Sequence, residues 1–238
     1  MTLNLEKHGG FIKAALLLAA LAALSGVASA QSQPDAPNSR FPTPALAHFD
    51  FYTRPTEGTK IRNYFLDGYS PYPITVAAAT AAVDQIDNSP PEWNQGAAGY
   101  GKRFASDFGI SAVSVTTHYA LAEAFREDTL YYRCTCKGAF HRLGHALTST
   151  FTSRRGDDGH RVFSFSALVA PYAGIMTAVY GWYPGRYNAM DGFRMGNYSL
   201  LSYAVSNVTL EFFHAGPRSW ISRIHLNNAH AAPDRSSF

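Results

Sequence analysis

Charge is scarce in this chain. Asp, Glu, Lys and Arg make up 16% of its 238 residues, against about 25% in an average soluble domain. The expected leader carries Glu6, Lys7 and Lys13, which leaves 18 basic and 16 acidic residues beyond it. A balance that even excludes the concentrated basic face that a nucleic-acid binder needs to displace counterions. Cysteine is nearly absent, with only Cys134 and Cys136, so no disulfide framework organises the fold. Several motifs are missing altogether: a Gly-rich phosphate loop, a Gly-x-Ser-x-Gly elbow, a His-Glu-x-x-His helix and a Cys-x-x-Cys-His haem site. Sustained apolar alternation, the mark of a half-buried strand, is also lacking. Aromatics, Ala, Gly and Ser take the place of charge, a composition suited to tightly packed helices or to contact with lipid.

The first thirty residues have the layout of a secretory leader. Lys7, His8 and Lys13 precede the apolar run Ala14–Leu24, and Ala28-Ser29-Ala30 supplies the small residues of a cleavage site. The run is too short to span a bilayer core of roughly 30 Å with ease. Residues 1–30 are therefore expected to be a cleaved signal peptide, which places the protein in the periplasm or cell envelope. Residues 31–60, with Pro34, Pro37, Pro42, Pro44 and Pro55, read as a Pro-rich arm. A helical domain is expected over 61–215 and a polar tail over 216–238. The compact leader looks bacterial, so the sequons at Asn197 and Asn207 carry no weight.

Within the domain, helical periods dominate. The Ala-rich segment Ile74–Ile86 has high helix propensity. Ser89-Pro90-Pro91-Glu92 has the form of a capping box and predicts a helix start. Small residues recur once per turn from Gly101 through Ala105, Gly109, Ala112, Thr116 and Ala120 to Ala124. A further helix is expected over Cys136–Thr152, followed by a solvated turn at 154–159 in which Arg154, Arg155 and His160 face Asp157 and Asp158. Val162–Pro184 carries Ser166, Ala170, Gly174 and Ala178, and Met195–Leu210 carries Gly196, Ser199, Ser202 and Ser206. Such spacing lets helix backbones approach closely. The expectation is an all-α bundle of about five helices with Gly/Ala/Ser-rich interfaces. Val162–Pro184 has the length of a membrane span, but Ser164, Pro171 and Tyr172 disfavour it.

The best candidate for chemistry is Cys134-x-Cys136 with His141-x-x-x-His145. Histidines four apart share a helix face, and two thiolates nearby complete a ligand set suited to zinc or copper. A bridge between cysteines two apart would close a strained ring, so the pair is expected to be free, metal-bound or bridged to another chain. Asp107, His118 and Glu123 fall near one another on a helix and are expected to pair across a helix interface. Ser222-Arg223, His230 and Asp234 loosely resemble the last motif of membrane-type acid phosphatases. Their spacing is one residue longer, and the family's upstream motifs are missing. Phe238 at the terminus is not preceded by an alternating strand, which argues against an outer-membrane barrel.

One block stands out as a signature: Asn88-Ser89-Pro90-Pro91-Glu92-Trp93, then Gln95-Gly96, Gly99-Tyr100-Gly101 and Arg103-Phe104. It resembles a block found in an uncharacterised group of exported bacterial proteins. Leu147–Phe163 and the segment from Arg62 are similar to the same group, so the resemblance spans residues 60–213. It implies a single helical domain behind a signal peptide and carries over no activity and no site residue. The functional expectation is an exported, non-enzymatic envelope protein that packs against a membrane, a protein partner or a second copy of itself. The alternative is a metal-binding or metal-dependent hydrolytic protein built on Cys134, Cys136, His141 and His145.

Overall fold

The computed structural model describes residues 52, 54–134 and 136–212. The expected leader, most of the arm, the tail and the Ser222/His230/Asp234 motif lie outside the described residues. The described part is mostly helical, as its periodicity requires. It holds six α-helices: α1 (Glu57–Tyr69), α2 (Pro71–Ile86), α3 (Gly96–Ala124), α4 (Ala139–Thr148), α5 (Phe165–Gly181) and α6 (Ala189–Phe212). A small antiparallel sheet lies between them in sequence: β1 (Glu127–Asp128), β2 (Thr152–Arg155) and β3 (His160–Phe163), in the order β1-β2-β3.

The central layer is α3 against α5, with α2 on one side of α3 and α6 on α5; α4 rests on α6. Small residues do close the α5 interface. Ser166, Ala170, Gly174 and Ala178 are all buried, and a Cβ at Gly174 would strike Ser114 Oγ and the Ile110 carbonyl of α3. On α3 the predicted stripe is misassigned. Gly101, Ala105, Thr116, Ala120 and Ala124 are exposed, whereas Gly99, Arg103, Ser106 and Ala122 are buried. Polar side chains with fixed partners claim the inner face, and the small residues are left outside.

The expected helix start at Ser89 is also corrected. Ser89 makes no cap, Pro91–Trp93 is a single 3-10 turn, and α3 begins at Gly96 after Gln95. The cause is Arg103, which is 1% exposed. Its guanidinium donates to Ser89 O (2.8 Å), Gln85 Oε1 (2.6 Å), Asn94 O (2.8 Å), Asn88 Oδ1 (3.3 Å) and Pro90 O (2.9 Å). All five of its N–H donors are thereby satisfied. A Cβ at Gly99 would collide with Asn94 O, Trp93 O and the guanidinium, so only glycine admits the loop. The signature block from Asn88 to Arg103 is the wrapping of one buried arginine.

The expected helix over Cys136–Thr152 is shorter, Ala139–Thr148. A Ser/Thr run follows it, and Thr148, Thr150 and Thr152 bond back to carbonyls four residues upstream, which favours termination. β2 and β3 then form a hairpin whose turn has Gly156 (φ 70°) and Gly159 (φ 66°) in the left-handed region. No described helix is long and apolar enough to cross a membrane.

Candidate functional site

The hairpin, the end of β1 with the segment after it, the residue that follows α4, the first turn of α5 and helices α3 and α6 line a cavity of about 30 Å³. That volume holds about two water molecules. Its chemistry comes from Arg154 and Arg161 on the hairpin, His118 on α3, Tyr131 and Tyr132 after β1, and Asp128. The arginines reach it because strand register places Arg154 directly opposite both Asp128 on β1 and Arg161 on β3. Arg154 is not a solvated turn residue, as its sequence context implied. Its guanidinium lies over the rings of Tyr132 (4.6 Å) and Tyr52 (5.2 Å), a geometry that holds a cation against two π faces. Arg155 is not a turn residue either; it pairs with Glu127 at 3.2 Å. Only the His160–Asp158 pair (2.8 Å) and Asp157 stay on the surface.

Three buried carboxylates hold the frame around the cavity. Asp128 accepts from Tyr52 Oη (2.8 Å), Tyr132 Oη (2.6 Å) and Leu130 N (2.9 Å). Burial and this carboxylate together push both phenols well above their ordinary range, so both stay protonated donors. Glu127 accepts from Ser164 Oγ (2.8 Å) and Ser166 Oγ (2.6 Å), which ties the sheet to the start of α5. Ser164 in turn caps α5 by accepting from Ala167 N at 3.1 Å. Glu211, fully buried on α6, accepts from Tyr131 Oη (2.8 Å), Arg142 Nε (2.9 Å) and Cys134 N (3.1 Å). Burial alone would raise its pKa, but Arg142, Tyr131 and the Cys134 amide hold it below the usual glutamate value. Arg142 and Arg133 also donate to the Glu211 carbonyl.

The four candidate metal ligands are placed around this frame but are not gathered. Cys134 and Cys136 form a disulfide, with Cα atoms 5.2 Å apart. That separation lies within normal disulfide reach, an arrangement that differs from the expected free, metal-bound or intermolecular pair. His141 is on the exposed side of α4. His145 turns inward, where Arg161 Nη2 donates to its Nε2 at 2.6 Å. An arginine cannot accept, so the imidazole is neutral with its proton on Nδ1, 3.8 Å from Glu211 Oε2. Burial and then Arg161 depress its pKa, consistent with that state. Among the described residues no three His, Cys, Asp or Glu side chains come together as metal ligands.

The other sequence candidates separate. Glu123 pairs with Lys60 of α1 at 2.6 Å, as an interface residue should. His118 lies edge-on to Tyr119 and Tyr203, and burial lowers its pKa. Asp107 sits with Asp84 beside Arg103; burial raises both carboxyls, Asp84 to about 7. This acidic pair was missed in the sequence. The buried positions of α2 end at Asp84, and that spacing was the available signal.

The outer surface is the inverse of the interior. The largest fully buried side chains are Arg103, Glu211, Thr150, Ser164 and Ser166, whereas Phe140 is 88% exposed. On α4, Phe140, Leu143 and Leu147 form one exposed stripe, continued by Phe151. Ile61, Phe65 and Tyr69 form another on α1. Against family models, curated proteins and solved structures, the chain has no match.

Proposed function

We propose that this chain is an exported cell-envelope protein, with a packing rather than an enzymatic role, that docks on an anionic membrane surface through α4. The observation that carries the reading is the reversed orientation of that helix. Arg142 is spent inward on Glu211, His145 turns inward to Arg161, and the apolar stripe of Phe140, Leu143 and Leu147 points out. The surrounding sequence supplies charge of one sign. From Thr129 to Arg155 there are five Lys or Arg residues and no Asp or Glu, and two of the five, Arg133 and Lys137, are exposed. A basic segment with an outward apolar face suits the interface of an anionic bilayer. Partial burial of three large side chains is worth on the order of 5 kcal/mol, and each cation near the surface adds about 1 kcal/mol.

Vesicle flotation tests this. The protein is expected to float with vesicles rich in phosphatidylglycerol and far less with phosphatidylcholine. Leu143→Glu is expected to abolish flotation. Leu201→Glu, at an exposed apolar position on α6, should leave it intact. Equal flotation of wild type and Leu143→Glu, or none with anionic lipid, would overturn the proposal.

A further inference from the structure

We infer that the cavity behind the hairpin is a binding site for a small oxyanion, held between Arg154 and Arg161. The two arginines occupy directly opposite positions on β2 and β3, where like charges repel. The row they share continues to Asp128 on β1. That carboxylate already takes two phenol donors and a backbone amide. Among the described residues neither arginine has a carboxylate within ion-pair distance, whereas Arg155, one position along, has Glu127. Two adjacent cations share this cavity with a single carboxylate, Asp128, whose oxygens are already taken by two phenols and an amide, and an anion would balance the second charge.

Two further features define what fits. Arg154 Nε and Ser153 Oγ are buried without a hydrogen-bond partner in the protein, and leaving such donors unmade is costly. Tyr52 and Tyr132 pin the Arg154 guanidinium, so its fork is set before a ligand arrives, and a set fork favours phosphate or carboxylate geometry. The hydroxyl-bearing residues Thr129 and Ser149 line the same space. A cavity of about 30 Å³ suits a small group such as a single phosphate. The ligand class is therefore inorganic phosphate, or the phosphate of a larger molecule whose remainder stays outside. Arg161 is exposed and forms the mouth.

This inference stands apart from membrane docking, because its test needs no bilayer. Thermal shift and titration calorimetry would use sodium phosphate against sodium chloride at matched ionic strength. A second arm would use monomeric dihexanoyl-phosphatidylglycerol against its phosphatidylcholine counterpart. Free phosphate is expected to raise the melting temperature, and Arg161→Gln to weaken binding about tenfold or more. Arg154→Gln should do the same. Should it unfold, Arg161→Gln at the exposed mouth serves alone, with circular dichroism as the check. Arg194→Gln, an exposed cation on α6, should bind as wild type does. A response to the phosphatidylglycerol headgroup alone upholds the site and assigns its source to lipid. No response to either ligand overturns the inference. So does a response that survives both pocket variants, or one that falls equally in Arg194→Gln.

Discussion

Replacing Arg103 tests the account of the signature block most directly. Arg103→Met keeps the length of the aliphatic stem and removes all five donors. Three backbone carbonyls, from Ser89, Pro90 and Asn94, and two side-chain oxygens, from Gln85 and Asn88, then lose their partner. Each hydrogen bond to a charged group is worth about 1.5–3 kcal/mol. The 88–94 loop can open to water and recover part of that, so the expected loss is about 3–5 kcal/mol, the range for breaking a buried charged network. For a domain of this size that is a fall of about 10–15 °C in melting temperature. It is a large share of an ordinary domain's stability. Arg103→Lys should recover little, because a point charge cannot reach five acceptors spread around a planar fork. The assay is urea unfolding followed by far-ultraviolet dichroism, on wild type and both variants. A change under about 1 kcal/mol for Arg103→Met, or near-complete rescue by lysine, would refute the claim that this side chain organises the loop.

Two other outcomes follow. Burial raises the Asp84 carboxyl to about 7, above an unfolded value near 4. Between those pH values the native state keeps a proton that the unfolded chain has released. Its contribution to stability therefore falls as pH rises from about 4 to 7, by up to about 3–4 kcal/mol. Asp84→Asn should be the more stable form at pH 8 and equal to wild type at pH 4; parallel profiles for the two proteins would contradict this. For the cysteines, intact mass spectrometry without reductant should find the chain lighter by two hydrogens than after reduction. The same protein should carry no stoichiometric zinc or copper; bound metal with two free thiols would restore the Cys134/Cys136/His141/His145 site.

The helical class was readable because the evidence for it is local. Small residues once per turn on α5 mark a face that closes on a neighbour, and that face is where the spacing put it; on α6 only Gly196 of the expected stripe is buried, and Ser199, Ser202 and Ser206 are half-buried. The same spacing on α3 misled. A row of Ala and Gly satisfies a close interface and a bare outer surface equally, and periodicity cannot say which. The small sheet was missed for a related reason. Strands of two and four residues are too short for alternation to register, although the Gly-Asp-Asp-Gly turn between β2 and β3 was visible.

The amino-acid order alone determined the helices, the placement of small side chains within them and the scarcity of charge, because each depends on neighbours within a turn or two. Partnership across the fold was decided only in three dimensions. The chain gives no hint that Glu211 would meet Cys134 and Arg142 across some seventy residues, or that Arg154 would stand between Asp128 and Arg161. Long-range pairing of charges depends on which backbones pack together. Packing here placed charged side chains such as Arg103 and Glu211 among the most buried and left large apolar ones such as Phe140 at the surface.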